Sequence, residues 1–169
     1  MMGLPKHQEV FDFIRENINH TERWDSLVVN RRKPYTYRAF IYHGPYRICL
    51  HRFDPCEPEE AFFHRHPWDS RIWLLDGFYE MVVGHCPIGE ENPVPLLKTE
   101  FYGEGNGYES FNPEFWHQVI PHTTCWSVMV NGPRINAGAP TTDGKDLDKM
   151  TDLDLLSHLD RFKKLLLLD

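Results

Sequence analysis

Arg71-Ile72-Trp73-Leu74-Leu75-Asp76-Gly77-Phe78-Tyr79-Glu80-Met81-Val82-Val83 is the stretch that decides the fold. Two runs of aromatic, aliphatic and β-branched residues meet at Asp76-Gly77, a pair that breaks a strand at a turn. The same texture extends in both directions. Upstream, 35–42 and 47–53 are split by His43-Gly44-Pro45. Downstream, 96–102, 119–120 and 126–130 alternate with breaks at 87–95, 103–107 and Asn131-Gly132-Pro133. Many short strands at this spacing predict an all-β sandwich or barrel.

The two ends read differently. Residues 5–19 carry Pro5 in a first-turn position and Val10, Phe13, Ile14 and Ile18 on one helical face. Residues 20–30 read as a polar stretch and 137–148 as a loop. Thr151-Asp152-Leu153-Asp154 has the form of a capping box, and Leu155, Leu156, Leu159, Phe162 and Leu166 follow as an apolar stripe over 151–167. This stripe is expected to pack on the β core or on a second subunit. No repeat or linker interrupts the chain, so 1–169 is expected to be one domain.

Composition narrows the function classes. The 169 residues are 41% hydrophobic, 14% aromatic and 25% charged, as in a globular protein. A net charge of -7 argues against nucleic-acid binding, and Arg31-Arg32-Lys33 reads as a solvated turn. No apolar run approaches the roughly 20 residues that span a bilayer, and the charged, amphipathic start is no signal peptide. Cys49, Cys56, Cys86 and Cys125 form no C-x-x-C pair, so they read as reduced thiols of a cytoplasmic protein.

The chemistry concentrates in Phe63-His64-Arg65-His66-Pro67-Trp68-Asp69. Residues i and i+2 of a strand share a face, so His64 and His66 can aim two imidazoles at one point. A metal site needs a further ligand, and the best candidate is His117, at the start of a later strand. Neutral imidazoles suit Fe, Zn, Cu or Ni. Three of them leave the ion's charge uncompensated, which favours an anionic substrate. His51 lies in the 47–53 strand and reads as a fourth ligand, an acid/base or a hydrogen-bonded core histidine. Strand parity puts Arg47 on its face and Arg52 on the other, without saying which face is inside. Arg47, Arg52, Arg71 and Arg134 are candidates for binding a carboxylate or phosphate. Tyr79 and Tyr108 are candidate proton donors, and Asp69 a candidate partner for His64 or His66.

Taken together, the pattern resembles the cupin superfamily over about residues 45–131. His64-x-His66 with Gly77 closing the strand matches the first cupin motif, and Gly107, five residues, Pro113 and then His117 match the second. The chain departs twice. Ser70 or Arg71 stands where the acidic ligand is expected, and the second motif is one residue short between Pro113 and His117, with Phe115 where glycine is common. The resulting three-histidine set is similar to that of the thiol dioxygenases, which bind iron(II). Leu50-His51-x-Phe53, His64-x-His66-Pro67-Trp68-Asp69, Leu75-x-Gly77-x-Tyr79 and Asn131-Gly132-Pro133-Arg134 also resemble a group of small single-domain cupins.

The resemblance implies a cupin-type jelly-roll β-barrel over about 34–134, flanked by the two helices. It implies a mononuclear enzyme, an iron(II)-dependent oxygenase acting on a small, anionic molecule, with Zn, Mn, Ni or Cu as alternative ions. His64, His66 and His117 would hold the metal, with His51, Tyr79 and Arg71 as catalytic candidates. The alternatives are a metal-dependent isomerase or lyase, and a non-catalytic sugar-binding cupin. The expected partner is a small molecule, with no nucleic acid and no membrane, and a strand edge leaves room for a homodimer.

Overall fold

The computed structural model describes residues 3–85, 98–110, 115–135 and 147–167, with backbone alone at His85, Ser110 and Phe115. Pro113, Cys86 and the segments 87–95 and 137–146 lie outside these residues. Along the chain run α1 (His7–Asn17), β1 (Asp25–Val29), β2 (Thr36–His43), β3 (Tyr46–Phe53), β4 (His64–Arg65), β5 (Ser70–Asp76), β6 (Phe78–His85), β7 (Lys98–Gly103), β8 (Gly107–Ser110), β9 (Phe115–Pro121), β10 (Cys125–Asn131) and α2 (Asp152–Leu165). Among the described residues no helix is long and apolar enough to cross a membrane.

The strands form two antiparallel sheets, one ordered β1-β2-β3-β10-β5-β8 and the other β4-β9-β6-β7. Among the described residues the expected closed barrel is therefore corrected to a sandwich of two open sheets. The reason lies at Asp76-Gly77. β5 pairs with β10 and β8, whereas β6 pairs with β9 and β7, so the glycine is a corner between sheets. Gly77 has φ +95°, and a Cβ there would sit 2.6 Å from the Thr124 carbonyl oxygen and 2.8 Å from the Cys125 Cα. Only glycine allows both the backbone angle and this approach.

The larger sheet is buried on both faces. On one, Ala39, Ile41, Ile48, Leu50, Val128 and Val130 pack under Val10, Phe11 and Ile14 of α1 and Leu155, Leu159 and Phe162 of α2. Most of the apolar stripe of α2 thus finds its partner within the chain: Leu159 is 1% exposed and Phe162 is fully buried, whereas Leu156 is turned out and 43% exposed. Thr151 caps the helix as its sequence suggests, accepting from the Asp154 amide at 3.1 Å and donating to the Asp154 carboxylate at 2.6 Å. His158 approaches the Leu50 carbonyl oxygen at 3.0 Å. Alternation sends the intervening residues of the sheet, among them Arg38, Arg47, His51 and Met129, to the opposite face, where they line a cavity between the sheets.

Two strands depart from the sequence reading. β1 falls in the stretch that reads as polar, and its place comes from pairing with β2, Asp25 opposite Phe40 through Val29 opposite Thr36. Its buried Ser26 is satisfied by accepting from the Met150 amide at 3.0 Å. β8 follows a glycine-rich turn and is recruited as the edge partner of β5.

Gly77→Ala is expected to cost at least about 2 kcal/mol in urea unfolding, because it adds both a strained φ and a backbone clash. Gly44, at φ +57° in open space, should cost about 1 kcal/mol on the same change. Equal costs would refute the corner as the constraint.

Candidate functional site

Register builds the site. β4 pairs with β9 so that His64 stands opposite His117, and β6 pairs on the far side of β9 with Val83 opposite His117. β4 ends at Arg65, before Pro67, which has no amide to offer a ladder. His66 therefore leaves the strand, yet its ring still meets the others. His64 Nε2 and His66 Nε2 each lie 3.1 Å from His117 Nε2, and one ligand atom from each ring falls within 4.8 Å of the others.

The second nitrogen of two rings decides what the first can do. His64 Nδ1 is 3.3 Å from the Phe62 carbonyl oxygen, which only accepts, so this nitrogen carries the proton. His117 Nδ1 is 3.4 Å from Met81 Sδ, a weak acceptor. Both arrangements turn an Nε2 lone pair toward the common point. Lone pairs facing at 3.1 Å repel, and a cation between them removes that repulsion. A donor set whose outer nitrogens are anchored in this way suits a metal ion.

Burial keeps all three rings neutral. It lowers the His64 pKa to about 4, with a smaller contribution from the Arg38 charge. His66 and His117 are held well below the usual range by burial and then by neighbouring histidines. Neutral imidazole is the form that ligates.

The cavity beside the rings has a volume of about 260 Å³. His51, 2% exposed, lies on its wall but outside the histidine cluster. Its Nε2 accepts from Arg38 Nε at 2.6 Å, and burial followed by the Arg38 and Arg47 charges holds its pKa well down. Of the readings open to His51, the hydrogen-bonded one is what the geometry presents. Tyr79 is on the wall too, as is Tyr108. Burial raises both pKa values, that of Tyr108 to about 12.

Arg71 does not reach this cavity. Strand alternation turns it outward, where it pairs with Glu109 and donates to the Pro5 carbonyl at 2.7 Å. Arg52 also faces out, bound to Asp54 at 2.7 Å, and Arg134 is exposed. Asp69 is absent from the cavity wall, and its carbonyl accepts from the Gly132 amide at 2.8 Å. Ser70, at the position of the expected acid, donates to Asn131 Oδ1 at 3.0 Å. Arg38 and Arg65 line the cavity and escaped the sequence reading. Arg38 stands directly across from His51 on the neighbouring strand, a relation only the pairing reveals.

The fold has solved counterparts. Fe(II)-HppE with the alternative substrate (S)-1-HPP superposes with a TM-score of 0.51 at 16% identity, over 66% of this chain and 57% of that one. Hydroxypropylphosphonic acid epoxidase from S. wedmorenis matches with a TM-score of 0.50 at 14% identity, over 66% of this chain and 56% of that one. The likeness is one of fold, a cupin-like β-sandwich, and the chain spans little more than half the length of these proteins. No protein-family model and no curated protein matches the sequence.

Buried neutral histidines tie stability to pH. His64 and, under α2, His158 are each lowered to about 4 by burial from an ordinary 6.5. In the unfolded chain they take up protons first, so their stabilisation is complete above about pH 6.5 and falls as pH drops toward 4. Urea unfolding of chelator-treated protein should show this decline. His158→Gln should make it shallower, and an unchanged slope in that variant would refute the assignment.

Proposed function

We propose that this chain is a mononuclear metal-dependent enzyme of the cupin type, an iron(II)-dependent oxygenase acting on a small molecule held between the two sheets. One observation carries the reading: His64 Nε2 and His66 Nε2 each converge on His117 Nε2 at 3.1 Å, with the outer nitrogens of His64 and His117 anchored. These three residues would hold the ion. Once bound, it would supply Lewis acidity and open positions for dioxygen and substrate. Iron is favoured because the solved structures of similar fold are of an epoxidase recorded with Fe(II).

The chain's own groups fit this role. The Tyr79–Tyr108 pair keeps its protons at neutral pH and offers hydroxyl donors at the wall. Phe53, Phe62, Ile72, Val119 and Met129 give the cavity apolar walls that keep water from the bound molecule. An isomerase or lyase would require a side chain that shuttles protons at neutral pH. His51 is poorly placed for that, because its Nε2 lone pair is occupied by Arg38.

Elemental mass spectrometry of the protein should find close to one iron per chain after anaerobic loading. The His64→Ala/His117→Ala double variant should lose it, and oxygen consumption should follow the metal in a substrate screen. A protein that retains no ion would overturn the proposal. Turnover with no oxygen consumed would move the activity to the isomerase or lyase class.

A further inference from the structure

We propose that Arg38 and Arg47, on the inner face of the large sheet, form an oxyanion subsite that binds the carboxylate or phosphonate end of a small molecule. The inference takes the cavity as the substrate site from the reading above, and does not require a metal there.

Charge is the first argument. Arg38, Arg47 and Arg65 all line the cavity, and among the described residues lining it there is no Asp or Glu. Elsewhere four arginines of this chain meet carboxylates: Arg15 with Asp12, Arg52 with Asp54, Arg71 with Glu109 and Arg161 with Asp76. A guanidinium enclosed without a counter-ion is costly, and an anionic ligand is the usual compensation.

Unsatisfied donors are the second. Arg47 Nη2, Arg65 Nη1, Trp68 Nε1 and Ser127 Oγ are buried, have no hydrogen-bond partner among the described residues, and belong to residues of this one cavity. Arg47 stands among aromatic rings on this wall. Its guanidinium carbon lies 4.7 Å from the Trp68 ring centre and 5.7 Å from that of Phe40. These cation–π contacts orient the group and leave N–H bonds for an acceptor.

Order across the sheet is the third. Arg38, His51 and Ser127 stand opposite one another on β2, β3 and β10. By accepting from Arg38 Nε at 2.6 Å, His51 fixes the guanidinium and leaves its outer N–H groups for a ligand. His51 is thus a positioning residue. A fork of fixed donors suits a planar carboxylate or a tetrahedral phosphonate. The volume of about 260 Å³ restricts the molecule to a small one.

Calorimetric titration of the full chain, chelator-treated and zinc-loaded, with benzoate, phenylphosphonate and the neutral benzamide tests the subsite. At least one anion should bind chelator-treated protein, with benzamide at least about tenfold weaker. The stronger anion identifies the carboxylate or the phosphonate as the natural end group. Arg38→Gln and Arg47→Gln should each weaken the anion by about tenfold or more, with Arg71→Gln unchanged. If a glutamine variant does not fold, Arg47→Lys and Trp68→Phe should still weaken binding severalfold.

Anion binding should survive in the His64→Ala/His117→Ala variant, so a failed metal assignment and a failed subsite give different results. Equal binding of benzamide, folded arginine variants that bind like wild type, or no anion bound at all would each overturn the subsite. Binding seen only with zinc and lost in the histidine variant would place the anion on the metal and overturn it as well.

Discussion

The pairing of β4 with β9 in one register, His64 opposite His117, is what the rest of the site depends on. A slip of one residue would turn these side chains to opposite faces and scatter the nitrogens. β4 is only His64–Arg65, too short to hold its own place. The loop before it is clamped instead. Gln118, next to His117, donates from Nε2 to the carbonyls of Pro58 at 2.9 Å and Ala61 at 2.6 Å, and Lys33 holds Glu60 at 2.6 Å. The strand that carries one ligand thereby fastens the segment that presents the other two.

The large sheet divides its labour between faces. The face under α1 and α2 is a mainly apolar contact, and burial of this kind is the main stabilising term in folding. The opposite face collects groups that burial disfavours: arginines without carboxylates, a deprotonated His51 and unsatisfied donors. Such groups persist where they serve a ligand and where packing elsewhere offsets their cost. The two helices are therefore part of the site's energetics although neither touches it.

Much of the site was legible because its signals are local. The spacing of His64 and His66 and the downstream His117 stand in the residue order itself, and the parity that joins Arg47 to His51 follows from period-two geometry along a strand. Gly77 was legible as a break, but not as a passage between sheets, because the clash that requires glycine comes from Thr124 and Cys125, far along the chain. Arg71 looked as suitable as Arg47 in sequence. The two differ only in which face of the sheet their strands turn inward, and no local pattern states that.

Alternation, turn residues and the histidine spacing by themselves determined an all-β core between two helices and a three-histidine candidate. Those properties depend on neighbours within a few residues. Tertiary structure alone decided that the sheets stay open, that both helices cover the same face, and that Arg38 joins His51 across two strands. It also decided that Arg71 is spent on Glu109 outside while Arg38 and Arg47 face the cavity. Each of these is a pairing between residues distant in the chain. Its free energy comes from the register and burial of whole elements, which a local reading of residue types does not contain.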